Sequence, residues 1–480
     1  KRQIFGFAFN SLIRYLGVNL VMVLGLGENP VPPLTFALPI YITILIAKYL
    51  GPDKLGEFSI ATNYSTIFRD IAIIGLPSLL TREIAILKDK GDAYFVNALT
   101  IGFFSSITAI AVLNLLCLDL GYSVRIRVLI FICSLGIFFD VLAKYAETAY
   151  LAKDKISIFS IIIFLCLLTQ LFFTTLFVLK GFDLFMIASI FIITKFIILS
   201  AGIVFLHSKV FYLSLRYVQI HLLKRILSPV PVFSFLSILE MLFFRIDIAL
   251  LSKLFNEIVI GWYSIAKKIV LFVYFISISI VFSAFPILSS KYNTERKVFY
   301  DLTEKILILI FIISVGININ LWILSDLIIS ALFGKTYLNA VPILKIMSLS
   351  TLPIFISTYI SKILIIIDKQ KKDLLILAIG FILLLSSFLS LYSFFGIIGC
   401  SLAFVAGFSF LAIFRIALIG YYEKEIFAKI FKLFLKTAFP ITGTILLVYL
   451  MQNADLVVKL IVINLTYLSV LFLLHLVNYK

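Results

Sequence analysis

The 480-residue sequence has too few charged residues for a soluble protein of its size. Only 14% of its residues are charged, whereas 62% are hydrophobic and the mean hydropathy is +1.17. An aqueous surface needs far more polar cover, so the composition excludes a soluble globular protein and indicates a polytopic membrane protein. The net charge of +17 would suggest nucleic acid in a soluble chain, but here the cations collect in short loops between apolar runs. We therefore expect no nucleic-acid partner.

Cysteine and histidine are also scarce, which excludes several kinds of site. The four cysteines lie inside apolar segments, so the sequence contains neither a disulfide framework nor the spacing of metal ligands. The three histidines are scattered and form no zinc-binding or catalytic cluster. We expect no metal and no other cofactor. The residues concerned are Cys117, Cys133, Cys166, Cys400, His207, His221 and His475.

Long loops and nucleotide-binding loops are missing as well. No loop between apolar runs exceeds about 25 residues, which leaves no room for a soluble catalytic domain. No Walker-type glycine loop is present to bind ATP. The sequence therefore predicts that the protein is not an enzyme and that ATP does not drive it.

Apolar runs of at least ~17 to 20 residues, the length that crosses a bilayer as a helix, make up most of the chain. They predict an all-α membrane protein with about 14 transmembrane helices. Residues 1–33 are predicted to be an interfacial or first-helix segment. The predicted spans are residues 34–50, 56–79, 93–118, 125–150, 156–179, 183–206, 230–252, 258–288, 302–325, 338–367, 374–394, 396–419, 437–451 and 456–478.

Two charged stretches separate groups of spans. Residues 209–228 alternate basic and apolar positions, which is typical of an amphipathic connector on an anionic cytoplasmic membrane face. A second connector begins the segment 421–480, which also holds the last two spans. We therefore predict an N-terminal lobe, 34–208, and a C-terminal lobe, 229–420, each with six helices.

An internal repeat relates the two predicted lobes. Shifted by 205 positions, residues 48–61 lie without a gap over residues 253–266, and five of the fourteen positions are identical where chance would give about one. Such parallel repeats are related by a two-fold axis along the membrane normal. We expect the equivalent Gly56 and Gly261 to be helix starts where neighbouring helices crowd. The identical pairs are Lys48/Lys253, Gly56/Gly261, Ser59/Ser264, Ile60/Ile265 and Ala61/Ala266.

The distribution of cations among the loops predicts the orientation. If the N-terminus is cytoplasmic, the inner segments hold about 25 Lys and Arg residues and the outer loops about eight, as the positive-inside rule requires. Both termini are then cytoplasmic, the turn at residues 51–54 is external and residues 216–225 are internal. We place the protein in the cytoplasmic membrane.

Four stretches carry a resemblance to a known family. They are LGPDKLGEFSIA from Leu50, GLPSLLTREIA from Gly75, LFGKTYLNAVPILKI from Leu332 and FGIIGCSLA from Phe395. Their sequences and their order along the chain resemble those of the polysaccharide flippases of the O-antigen type, which belong to the multidrug, oligosaccharidyl-lipid and polysaccharide exporter superfamily. The resemblance covers nearly the whole chain.

The resemblance implies a transporter in which two lobes alternate between inward-open and outward-open states. Its expected cargo is a polyprenyl diphosphate-linked oligosaccharide, moved from the inner to the outer leaflet for surface polysaccharide biosynthesis. Membrane lipids are expected partners, and polysaccharide polymerases and glycosyltransferases are candidate ones. The alternative is a cation-coupled small-molecule or multidrug exporter of the same superfamily, which would want unopposed acidic residues in its cavity.

Cations inside the spans are the candidate cargo site. An ionised group at the centre of a span costs ~2.5 to 3.5 kcal/mol, so it must face a partner or a wet cavity. Two roles stay open for these cations: binding the cargo diphosphate, to which the planar arginine fork is suited, or pairing between helices. The candidates are Arg69, Arg245, Lys267, Lys268 and Lys195.

Acidic residues inside the spans are assigned to gating or ion pairs. Asp140, Lys144 and Glu147 share one helix face and are expected to neutralise one another. Arg69 and Asp70 are adjacent and leave the helix roughly 100° apart, which predicts that they do not pair. The candidates for gating or ion pairs are Asp70, Asp140, Lys144, Glu147, Glu240 and Asp247.

Overall fold

The computed structural model describes residues 32–73, 75–86, 91–153, 155–209, 214–228, 230–435, 450–451 and 458–467. Every regular element within these ranges is a helix, so the predicted all-α fold is confirmed. The predicted first segment, 1–33, and the last two spans, 437–451 and 456–478, lie largely outside the described residues.

The described helices follow one another with short connections. They are α1 (Pro32–Ile73), α2 (Leu76–Ile86), α3 (Gly91–Asp119), α4 (Val124–Ala152), α5 (Ile156–Leu179), α6 (Leu184–Lys209), α7 (Ile220–Leu227), α8 (Val230–Leu254), α9 (Glu257–Thr294), α10 (Arg296–Phe333), α11 (Ala340–Ser348), α12 (Thr351–Ile366) and α13 (Gln370–Tyr422). Short 3₁₀ helices lie at Leu215–Tyr217 and Lys335–Tyr337, and residues 424–435 and Val458–Tyr467 are also helical.

Most predicted spans coincide with observed helices. Seven helices in the described ranges are long and apolar enough to cross a membrane, namely α3, α4, α5, α6, α9, α10 and α13, and the bent pair of α11 and α12 adds an eighth. The parts of α1 and α8 predicted to span the membrane are helical but fall outside that set. The total of about 14 spans stays a prediction.

Glycines break two long helices where the sequence predicts turns. Gly51 in α1 has a φ of 86° and Gly396 in α13 has a φ of 57°, in the left-handed region that glycine adopts without strain. Helix resumes at Pro52, earlier than the predicted start at Gly56. Proline suits the first helical position because its φ is preset and its missing N–H would have no partner there.

Two predicted spans each consist of two helices. The span at 56–79 is interrupted where α1 ends and α2 begins, around Gly75 with a φ of 62°. The span at 338–367 consists of α11 and α12, which meet at 41°. Pro353, in the first turn of α12, has no N–H for the carbonyl of Leu349 four residues earlier, so one regular helical hydrogen bond is missing at the bend.

The chain packs as two compact units that divide within α9, after Gly261. In the first unit α4 packs against α1, α3 and α6. Two buried tyrosines of α4 tie it to its neighbours, because Tyr145 donates to the carbonyl of Ile73 and Tyr150 to that of Gly202, both at 2.9 Å. These bonds satisfy the hydroxyl groups inside an apolar core.

In the second unit α13 packs against α11 and α12, and α10 packs against the same two helices. The short helix Val458–Tyr467 lies on α10, where the side-chain amides of Asn320 and Asn464 exchange hydrogen bonds of 3.0 and 3.1 Å. Paired amides satisfy each other in apolar surroundings and so fix the register of two helices. The predicted lobes, 34–208 and 229–420, stay a prediction.

Candidate functional site

Five charged side chains of the first unit form one cluster drawn from four helices. Arg69 and Asp70 come from α1, Asp140 from α4, Lys195 from α6 and Arg245 from α8. The sequence selects all five residues but does not indicate that they meet. We call this group the charged cluster.

Arg69 and Asp70 pair with each other, so the prediction that they do not is wrong. Arg69 Nε and Nη2 donate to Asp70 Oδ1 at 2.8 and 2.6 Å. The Cα–Cβ bonds of adjacent helical residues do diverge. The guanidinium, however, stands at the end of a long flexible stem, which folds back around the helix to the carboxylate.

Asp140 joins a lysine of α6 to the arginine of α1. Its Oδ2 lies 2.7 Å from Lys195 Nζ and 3.9 Å from Arg69 Nη1. Gly136, one turn before Asp140, makes the room for this contact. A Cβ at that position would lie 2.9 Å from Lys195 Nζ and 3.0 Å from its Cδ. The absence of a side chain on α4 therefore lets the lysine tail cross the helix and reach the carboxylate.

Arg245 adds α8 to the charged cluster. Its Nε lies 3.8 Å from Asp70 Oδ2, the oxygen that Arg69 leaves unused, so Asp70 lies between two arginines. The backbone here is held by buried Asn63 of α1, whose Nδ2 donates to the carbonyl of Arg245 at 3.0 Å. Sequence reasoning missed Asn63, because one amide in an apolar span is not distinctive.

The charged cluster is rich in cations and is partly exposed. Its three cations contact two carboxylates, and the side chains of Arg69, Lys195 and Arg245 are 32%, 30% and 38% exposed. Buried Asp247 adds a third carboxylate that interacts electrostatically with Arg245. Ion pairs at this level of exposure contribute at most ~1 kcal/mol each. Such pairs can exchange partners, so the charged cluster has both the charge and the accessibility to accept an anion.

The predicted ladder of Asp140, Lys144 and Glu147 is only partly right. Lys144 Nζ lies 2.9 Å from Glu147 Oε2, as predicted. Asp140 does not belong to this pair, because in the part of the chain that the structure describes its ionic partners are Lys195 and Arg69. The sequence pattern shows neighbours along α4 but not the lysine that arrives from α6.

Four further candidates lie outside these contacts. Glu240 is exposed near the middle of α8, whereas Asp247 is buried, accepts a backbone N–H of its own helix and interacts electrostatically with Arg245. Lys267 and Lys268 belong to the second unit, where Lys267 is buried. Each of the four candidates has an interaction partner. The cargo-binding role of the two lysines stays a prediction.

A buried charged pair that sequence analysis missed lies in the second unit. Arg415 Nε donates to Asp373 Oδ1 at 2.6 Å, and its Nη2 donates to Oδ2 at 3.1 Å. Ser357 accepts from the arginine at 2.6 Å, and Ser361 donates to the carboxylate at 2.7 Å. Both partners are hydrogen-bonded and only 7% and 10% exposed, so we assign the pair to the scaffold. The available signal was an arginine inside a predicted span.

Metal ligands are not gathered anywhere in the described ranges. Within them no group of three or more His, Cys, Asp or Glu side chains could hold a metal ion. The cysteines are free thiols, and three of the four are buried.

Comparison with known proteins identifies the fold. Residues 233–389, about a third of the chain, match the MatE family. None of the curated proteins compared matches the chain by sequence.

Solved structures resemble the chain over most of its length. The lipid II flippase MurJ in an inward closed conformation has a TM-score of 0.75 at 17% identity, over 93% of this chain and 97% of that one. A multidrug resistance MATE family transporter of the MOP superfamily, in an inward-facing conformation, has a TM-score of 0.69 at 14% identity, over 86% of this chain and 98% of that one. A MOP superfamily transporter from Pyrococcus furiosus with reversed binding-pocket polarity has a TM-score of 0.61 at 13% identity, over 86% of this chain and 96% of that one. The chain therefore has the fold of the MOP-superfamily transporters.

Proposed function

We propose that the chain moves a polyprenyl diphosphate-linked oligosaccharide from the inner to the outer leaflet of the cytoplasmic membrane. It does so by alternating access, and the product serves surface polysaccharide biosynthesis of the O-antigen type. The observation that carries the proposal is the charged cluster, in which Arg69 and Arg245 approach Asp70 from two sides and Lys195 lies beside Asp140. The fold, which a lipid II flippase shares, supports it.

A diphosphate suits the charged cluster chemically. Arg69 and Arg245 approach Asp70 from two sides, so a phosphate group that replaced the carboxylate would find two guanidinium forks around it. Lys195 adds a compact positive charge at Asp140. Cations at this position lower the cost of bringing an anion to membrane depth.

The membrane potential can supply the driving force. Two phosphate charges that cross the whole field outward, away from a negative interior, gain up to ~4.6 kcal/mol per 100 mV. This direction requires the cytoplasmic termini predicted from the loop cations. Glycosyltransferases, which build the cargo, and polysaccharide polymerases, which use it after transport, are candidate partners.

A cation-coupled exporter of small molecules or drugs is the second candidate. Asp70 and Asp140 favour it, because carboxylates can bind a coupling ion or a cationic drug, and MATE transporters share the fold. Both carboxylates already lie within 2.7 Å of a cation, at Arg69 and Lys195. A cationic substrate would have to displace these groups, so the geometry favours an anionic cargo.

Transport of a fluorescent polyprenyl diphosphate oligosaccharide by the purified protein in liposomes tests the proposal. A quencher that cannot cross the bilayer measures how much of the lipid changes leaflet. We expect Arg69→Ala and Arg245→Ala to abolish transport while the proteins remain folded. Lys180→Ala, which removes an exposed cation beyond the end of α5, is the matched control and should transport normally.

The same liposomes distinguish the two candidates. If the unmodified protein moves a lipophilic cationic dye in exchange for protons or sodium, and leaves the diphosphate in place, the exporter function is supported instead. Full activity of Arg245→Ala toward the diphosphate would remove this residue from the cargo site.

A further inference from the structure

The connector before α8 contains no acidic residue. Its described part is the 3₁₀ helix Leu215–Tyr217 followed by α7, Ile220–Leu227. No Asp or Glu occurs anywhere between Asp183 and Glu240. The transport proposal makes no use of this basic segment.

Three cations of the connector are exposed and have no carboxylate partner. Arg216, Lys224 and Arg225 all lie at the surface, and no carboxylate among the described residues is within ion-pair distance of them. Lys429, in the second charged stretch, is different, because it lies 3.0 Å from Glu304. Among the described residues, a carboxylate compensates Lys429 but none compensates these three cations of the connector.

Apolar side chains accompany the cations on the exposed face of α7. Ile220, Lys224 and Leu227 follow the i, i+4, i+7 spacing of one helix face, and the two apolar residues are 75% and 40% exposed. Leu222 and Ile226 are buried on the opposite side. A helix that exposes apolar residues among lysine and arginine is typical of one that lies in a membrane interface.

Asn97 of α3 holds the connector in place. Its Nδ2 donates to the carbonyl of Tyr217 at 2.8 Å, and its Oδ1 accepts the N–H of Gln219 at 3.0 Å. The side chain is fully buried, so both bonds are shielded from competing solvent. The basic surface is therefore carried on a fixed support, and α3 in turn packs against α4.

We propose that Arg216, Lys224 and Arg225 bind the headgroups of anionic phospholipids, with Ile220 and Leu227 inserted between them. Cations without carboxylate partners complement the phosphodiester charge of such lipids. Each cation near an anionic membrane surface contributes about fivefold in affinity. Anionic lipid then fixes the connector and, through Asn97, the start of α3. This inference goes beyond the proposed transport and does not depend on it.

A fluorescent reporter on the connector tests the proposal. An environment-sensitive fluorophore on Ser228→Cys, at the exposed end of α7, is attached to a protein with its four native cysteines replaced. The protein is placed in nanodiscs of phosphatidylcholine with rising fractions of phosphatidylglycerol. We expect the emission to shift to shorter wavelength as phosphatidylglycerol increases. High salt should reverse the shift, since the Debye length falls from ~10 Å at 0.1 M to ~3 Å at 1 M.

Charge variants identify the residues responsible. Lys224→Gln combined with Arg225→Gln should weaken the apparent affinity for phosphatidylglycerol about 25-fold, which moves the midpoint to a much higher fraction of phosphatidylglycerol or beyond reach. Lys180→Gln combined with Lys335→Gln makes the same charge change at exposed positions outside the connector and should leave the midpoint unchanged.

Three results would overturn the proposal. The first is equal midpoints for the two double variants. The second is an emission shift that salt does not affect. The third is an emission shift that inorganic phosphate produces in nanodiscs of pure phosphatidylcholine. The salt and inorganic phosphate measurements use the labelled connector with all its native cations, so they decide the question even if a charge variant fails to fold.

Discussion

Gly56 and Gly261 each pack against the chain segment that carries the other, at a helix crossing in the first unit. A Cβ on Gly56 would collide with the carbonyl oxygen of Glu257, and a Cβ on Gly261 with that of Pro52. Pro52 and Glu257 are separated by the same 205 positions as the two glycines. The contact is reciprocal, as on a two-fold axis, and the crowding predicted from the sequence is confirmed.

Alanine at either glycine should destabilise the protein by about 3 kcal/mol or more, at the upper end for overpacking, because the obstacle is backbone. Thermal unfolding in detergent measures the effect for Gly56→Ala and Gly261→Ala. Gly316→Ala is the control, because its Cβ would lie 3.4 Å from the ring of Tyr467 and alanine favours the helix by ~1 kcal/mol. Unchanged stability in all three variants would contradict the role of the crossing.

The turn at Gly51 and the repeat that pairs Gly56 with Gly261 were predictable because both depend on local chemistry. A glycine followed by proline stops a helix wherever it occurs. A repeated scaffold leaves identical residues at a fixed spacing. Helix identity and most helix ends follow from the same kind of information.

The charged cluster was predictable as a set of residues but not as a geometry. Lys195 reaches Asp140 because Gly136 on α4 is small and α6 packs there, and neither fact is local to the lysine. The contact between Arg69 and Asp70 depends on the flexibility of a side chain, which helix arithmetic ignores. The bend before Pro353 was not predictable from the proline alone, because Pro286 lies inside the continuous helix α9.

Asp70→Asn should strengthen binding of a diphosphate to the charged cluster. The change removes the carboxylate that Arg69 and Arg245 share and makes the net charge of the charged cluster more positive by one. Since each exposed pair contributes at most ~1 kcal/mol, we expect about fivefold tighter binding. Inhibition of transport by a soluble pyrophosphate analogue gives the affinity. Weaker inhibition in the variant would show that Asp70 positions the arginines for binding.

Gly136→Ala should act through Lys195. The added methyl group occupies the space of the lysine tail and moves the amine away from Asp140. Transport should fall in Gly136→Ala and in Lys195→Met, and the double variant should be no worse than Lys195→Met alone. Such non-additivity is the sign of one shared contact. Additive losses would indicate that Gly136 matters for packing of α4 and not for the lysine.

Single cysteines test the predicted orientation. Ser214→Cys and Asp53→Cys are introduced into the protein without its native cysteines, and intact cells are treated with a maleimide that does not cross membranes. The loop cations predict labelling at residue 53 and protection at residue 214. Labelling at residue 214 with protection at residue 53 would reverse the orientation and the direction of transport.

Removal of one partner of the buried pair should damage stability more than function. Asp373→Ala leaves Arg415 as a buried charge without its carboxylate, which costs ~3 to 5 kcal/mol. Asp373→Leu combined with Arg415→Met should recover most of that loss, because apolar residues can replace a buried pair. Asp326→Ala is the control, since its pair with Lys345 is largely exposed and contributes ~1 kcal/mol or less.

The outcome separates a scaffold role from a transport role for Arg415 and Asp373. Thermal unfolding measures stability, and transport is compared per folded molecule. We expect the double variant to be stable and active, because the pair is buried and its polar groups bond to each other and to Ser357 and Ser361. A double variant that folds as well as the native protein but does not transport would place this pair among the residues that act on cargo or drive the conformational change.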